Sequence, residues 1–101
     1  MGDEGVYYQV KEGFVHRKVA GNDVLISVGA NIVNFNGYIV LNSTASFLWD
    51  IMKQPYTICQ LVQALIAEFD VSEQNAYDDV REFIQMLQSN SMLKESTYEN
   101  N

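Results

Sequence analysis

Cysteine is nearly missing from this chain of 101 residues. Cys59 stands alone, so no disulfide can close within one copy and no zinc site can be built from cysteines. That usage fits a reducing compartment. Proline is as scarce: Pro55 is the one example, and it biases Gln54 toward extended backbone, marking a break in any helix that reaches it. No apolar run approaches the roughly 20 residues needed to cross a bilayer. The start, Met1-Gly2-Asp3-Glu4, is acidic where a secretory signal would be basic and then apolar. The expected location is therefore cytoplasmic. Basic side chains number 6 against 13 acidic ones, a formal charge of −7. Such a balance repels polyanions and argues against nucleic acid or an anionic membrane as the main partner.

Catalytic equipment is also sparse. Cys59 falls where the first turn of a helix is expected, which can lower a thiol pKa, but His16 is the only histidine available as its base and no motif surrounds it. No glycine-rich phosphate loop, nucleophile elbow or paired catalytic carboxylate pattern is visible. Asp78, Asp79 and Glu82 share one helical stretch with no second element offering ligands, so they read as a solvated face and not as a metal site. The expectation is a protein that is not an enzyme and takes no cofactor and no metal.

What is present is enough apolar material, 48% of residues, for a single modest core. Val15 and Val19 alternate with polar neighbours, Gly21-Asn22 is a turn signal, and Val24, Ile26 and Val28 alternate again, which predicts a hairpin. Ile32 to Phe35 meets Asn36-Gly37, a strong hairpin signal, before Tyr38 to Leu41. The sheet should have three strands, or four if Ile32 to Phe35 pairs. His16, Arg17 and Lys18 make a small basic spot on it.

At Leu41-Asn42-Ser43-Thr44-Ala45-Ser46-Phe47-Leu48-Trp49 the period changes from two to 3.6, with Asn42 or Ser43 supplying the capping oxygen. A first helix is predicted over 43–53, with Trp49 in its core stripe. Thr57 caps a second, in which Ile58, Leu61, Val62, Leu65, Ile66 and Phe69 form a complete apolar stripe ending near Asp70. Ser72 caps a third, ending near Asn90, whose buried stripe is Ala76, Val80, Phe83, Ile84 and Leu87. Tyr77 and Ile84 widen that stripe at one margin, beside Arg81 and Gln88. Residues 1–13 and 94–101 are mostly polar and are expected to be flexible termini around one domain spanning 14–93. The predicted architecture is α+β and winged-helix-like: an N-terminal three-stranded antiparallel sheet followed by three α-helices.

Those residues resemble the PqqD-type family, the precursor-peptide recognition elements of pathways that make ribosomally synthesised, post-translationally modified peptides. The resemblance rests on LNSTASFLW at Leu41 to Trp49, on Thr57 to Val62 opening the second helix, on Phe69-Asp70-Val71-Ser72, and on Asp79-Val80-Arg81-Glu82-Phe83. It covers about 14–93. Two stretches depart from the family pattern: Lys53-Gln54-Pro55 and Asn90-Ser91 stand where glycine is common.

The resemblance implies a non-catalytic module that binds a precursor's leader segment as an added strand beside the third strand, in a groove walled by the third helix. An edge strand's unpaired N–H and C=O groups suit that role. With Ile39 and Leu41 facing the core, the expected contacts are Tyr38 and Val40 on the strand and Tyr77, Arg81, Ile84 and Gln88 on the helix. The implied partners are a precursor leader peptide and the modifying enzyme, such as a radical-SAM enzyme, or the leader protease that receives it. Two other readings stand beside this one. A winged-helix nucleic-acid-binding regulator would place its third helix in a major groove, where that helix's acids would face phosphates of like sign. A homodimer would pair through the same free edge.

Overall fold

The computed structural model describes residues 5–28 and 38–97, and within them the chain forms five strands and three helices. The strands are β1 (Val6–Val10), β2 (Phe14–Val19), β3 (Asn22–Ser27), β4 (Tyr38–Leu41) and β5 (Leu93–Thr97); the helices are α1 (Ser43–Ile51), α2 (Ile58–Glu68) and α3 (Glu73–Ser89). The α+β, winged-helix-like plan is as expected: an antiparallel sheet in the order β2-β3-β4, followed by three helices. The strand expected over Ile32 to Phe35 and the turn at Asn36-Gly37 lie outside the described residues.

Each helix begins where its capping side chain stands. Asn42 Oδ1 accepts from Ala45 N–H at 2.9 Å, and Ser72 Oγ accepts from Asn75 N–H at 3.1 Å. Thr57 and Gln60 satisfy each other's backbone donors in a full capping box. The apolar stripes of the three helices then meet in one core with Trp49, Leu61, Leu65 and Leu87 fully buried. Trp49 packs edge-on to Phe14 of β2 at 6.2 Å between ring centroids.

The ends of the chain depart from expectation. Val6–Val10, inside the expected tail 1–13, pairs antiparallel with Leu93–Thr97, which from Lys94 on belongs to the expected tail 94–101; the rungs run from Val6↔Thr97 to Val10↔Leu93 as a second sheet. The far edge of β1 is also engaged, because Tyr8 and Tyr56 exchange backbone hydrogen bonds of 2.8 and 3.0 Å. The polar residues around Val6–Val10 and the polar make-up of β5 itself hid the pairing. The two strands pair with each other, across nearly the whole chain; Val10 lies in the core, and Tyr8 and Leu93 pack against it.

Two further differences concern the hairpin. Its turn is Ala20-Gly21, one residue earlier than Gly21-Asn22, with φ of 53° and 84°. Positive φ at both central positions is the type I′ geometry that matches strand twist, and it puts Asn22 opposite Val19 as the first rung. In addition, the core-facing residue of β3 is Leu25. Val24 and Ile26, on the alternating set that marked the strand, lie on the opposite face.

Candidate functional site

Register decides which backbone groups of β4 have no partner among the described residues. Gly13 C=O accepts from Val28 N–H at 2.8 Å, so β2 and β3 exchange hydrogen bonds at every second rung from there: Val15–Ile26, Arg17–Val24 and Val19–Asn22. Asp23 and Leu25 therefore turn their backbone groups toward β4, where their partners are Leu41 and Ile39. By the same alternation, the N–H and C=O groups of Tyr38 and Val40 point away from β3, at the end of the sheet. Their side chains stand on the outer face of the sheet, 64% and 59% exposed. Val19 and Val28, the other large apolar residues exposed among the described ones, share that face by register.

Beside this edge lies a groove with a cavity of about 180 Å³. Ile39, Val40, Leu41 and Asn42 form one wall, and Asp79, Glu82, Phe83 and Met86 of α3 form the other. Thr44 and Ala45 of α1 close one end. Asp79 and Met86 are half-buried, Glu82 is exposed and Phe83 belongs to the core. No described residue forms an ion pair with Asp79 or Glu82.

Of the six expected contact residues, Val40 alone lines this groove. Tyr38 and Val40 stand on β4, at the end of the sheet. Tyr77, Arg81, Ile84 and Gln88 lie close to half a turn around α3 from Asp79, Glu82 and Met86, and none of the four lines the groove. Ile84 is 5% exposed and packs in the core. Arg81 Nη1 donates to Tyr77 Oη at 3.2 Å, with the guanidinium 5.6 Å from that ring's centroid. Gln88 donates to Glu95 on β5 at 2.9 Å. A buried helical stripe has two margins, and a wide one was read from Tyr77 and Ile84; the margin that meets β4 is the other. Met86 was its apolar marker in the sequence, an unassigned apolar residue seven positions after Asp79 and therefore on the same side of the helix.

The basic spot of β2 is divided between the two faces of the sheet. His16 bridges two carboxylates, with Nδ1 2.9 Å from Asp50 Oδ1 and Nε2 2.8 Å from Asp23 Oδ1, while Lys18 Nζ is 3.6 Å from Asp23. The hydrogen bond to Asp50 is the main cause that holds the imidazole above its usual pKa, with burial opposing and Asp23 adding to the rise. His16 in turn holds Asp23 below the usual carboxylate range, and the charge of Lys18 helps. The cluster ties β2 and β3 to α1. Arg17 faces the other way, with Val24 and Val40. Cys59 is exposed in the first turn of α2.

Residues 17–93 match the family model described as "Coenzyme PQQ synthesis protein D (PqqD)". The chain belongs to the PqqD family. Solved structures with this family member's fold include "TbiB1 in Complex with the TbiA(beta) Leader Peptide", at 20% identity and a TM-score of 0.64, covering 91% of this chain and 99% of that one. A second is "Lasso peptide synthetase B1 complexed with the leader peptide", at 18% identity and the same TM-score of 0.64, covering 86% of this chain and 96% of that one. No curated protein matches the chain in sequence. Among the described residues, no helix is long and apolar enough to cross a membrane and no group of three His, Cys, Asp or Glu could hold a metal ion.

Proposed function

We propose that this chain binds the leader segment of a ribosomally made precursor peptide by strand addition along β4, with α3 as the facing wall, and delivers it to a modifying enzyme or leader protease. The observation that carries the reading is the outward-pointing N–H and C=O groups of Tyr38 and Val40 beside the α3 groove. An extended peptide supplies the missing rungs, and its alternate side chains enter the groove. Membership of the PqqD family and two structural neighbours solved with leader peptides support the same reading. On the strand, Tyr38 and Val40 flank the visitor; on the helix, Asp79, Glu82, Phe83 and Met86 meet it.

Catalysis has no part in this role. Holding the leader raises the effective concentration of the attached core peptide at an active site on another protein, such as a radical-SAM enzyme. An interface this small belongs to the transient class, with a Kd around micromolar, or roughly −8 kcal/mol. Titration of a fluorescein-labelled leader from any short precursor peptide encoded among the neighbouring genes is the test. Saturable binding that Val40→Pro removes is expected, because proline takes away the N–H that the visiting strand would use. Unchanged affinity in that variant, with its circular dichroism intact, would count against strand addition.

A further inference from the structure

A strand laid along β4 continues the alternation of the sheet. One set of its side chains shares the face of Ile39 and Leu41 and enters the groove, and the set between lies beside Tyr38 and Val40 on the outer face. The two environments differ in kind. The charged groups lining the groove are Asp79 and Glu82, with no cation among the lining residues. The chain's own bases lie outside the groove: Lys11, Lys53 and Lys94 line a separate cavity, Lys18 stands by Asp23, Arg81 lies on Tyr77, and Arg17 is on the outer face two strands from the visitor. A half-buried carboxylate such as Asp79 gains from an incoming cation more than a fully solvated one does, because screening is weaker there. Phe83 and Met86 beside the two acids supply an apolar track for the methylene stem of a long basic side chain. On the outer face, Tyr38 and Val40 offer β-branched and aromatic neighbours with no charge.

We propose that the segment bound along β4 is basic at the alternate positions turned toward α3 and apolar at the positions between them, so that Asp79 and Glu82 select a Lys- or Arg-bearing leader. This rests on strand addition at β4. Opposite charges across the groove also speed encounter, in a chain whose overall charge of −7 repels acidic peptides.

The test uses two labelled short peptides of Thr and Val, one with Lys and one with Glu at every second position, titrated against the full chain at low and high salt. The Lys peptide should bind and the Glu peptide should bind at least tenfold more weakly, with added salt narrowing the gap. The double variant Asp79→Asn/Glu82→Gln should weaken the Lys peptide by about tenfold and leave the Glu peptide unchanged or improved. Asp79→Lys/Glu82→Lys should reverse the preference. If Val40→Pro abolishes binding of both peptides while the Asp79 and Glu82 variants and salt change nothing, strand addition stands and the charge assignment is overturned. If neither peptide and no leader binds, strand addition fails and the charge assignment fails with it.

Discussion

A pair of proline substitutions in β4 tests the free edge without any ligand. Ile39 pairs with Leu25, and the register assigns its N–H to the ladder. Proline there deletes that bond and strands the Leu25 carbonyl on a residue that is 0% exposed. The unsatisfied acceptor alone costs about 1–3 kcal/mol, and ring strain in a paired strand brings the total to about 3 kcal/mol. For a domain of this size that lowers Tm by about 12–24 °C. Val40 is one residue further along, with its N–H turned outward and its side chain 59% exposed. Proline there removes no ladder bond and confines Ile39 to extended backbone it already adopts, so the expected loss is below about 1 kcal/mol. Urea and thermal melts followed by circular dichroism, on both variants and the parent, give the comparison. Equal destabilisation, or a greater loss in Val40→Pro, would mean that β4 presents the opposite set of backbone groups, and the proposed peptide register would fall with it.

Two other predictions concern stability. Because His16 has a folded pKa raised above 6.5, its contribution is complete below pH 6.5 and is lost as pH rises through the folded value. Asp23, lowered below 3.8, contributes above pH 3.8 and loses that contribution as pH falls through its folded value. The cluster therefore contributes most between pH 3.8 and 6.5. Urea midpoints should decline above that window, and His16→Gln should flatten the decline; an unaltered slope in that variant would remove His16 as its source. Ala20 and Ser91 hold φ of 53° and 58°, a region that costs a residue with a Cβ about 1–2 kcal/mol. Ala20→Asn should thus raise stability by about 1 kcal/mol. Ser91→Gly should gain less, about 0.5 kcal/mol, since glycine also loosens the unfolded chain; melts that show a loss in both variants would refute this account of the two turns.

The helices were legible in the sequence because what starts, stops and orients them is local. Asn42, Thr57 and Ser72 cap helices within three residues of themselves, and the stripes from Ile58 to Leu65 and from Ala76 to Leu87 bury the faces their spacing marked. The end of α3 was less transparent. Ser91 stands where glycine is common in the family, yet it takes the left-handed conformation. Its N–H bonds Gln88 C=O and that of Met92 bonds Leu87 C=O, a Schellman closure with Met92 buried over the joint.

Features set by distant partners were not legible. Nothing near Val6 announces Thr97 as its rung partner, and the polar run Lys94-Glu95-Ser96-Thr97 carries no strand signal. The groove was legible only on its strand side, for the same reason. Tyr38 and Val40 followed from a strand leading into a helix, a relation within ten residues. Which margin of α3 meets that strand depends on how three packed helices sit against the sheet, and periodicity is silent on that. Asp79 and Glu82 also looked like ordinary solvated acids, because charge on a helix shows no direction until a neighbour gives it one.

The pairing of β1 with β5 brings the two ends of the described chain to a single doorway. Val6 and Thr97 face each other across one rung, a gap of about 5 Å, which one or two residues can bridge. A host protein could thus carry this module as a cargo spliced into a surface loop, with entry and exit at one spot. Joining the two ends directly and reopening the chain at Ala20-Gly21 would make a rewired version that keeps the same rungs, a route to circular permutants that present the β4 edge from a new pair of ends.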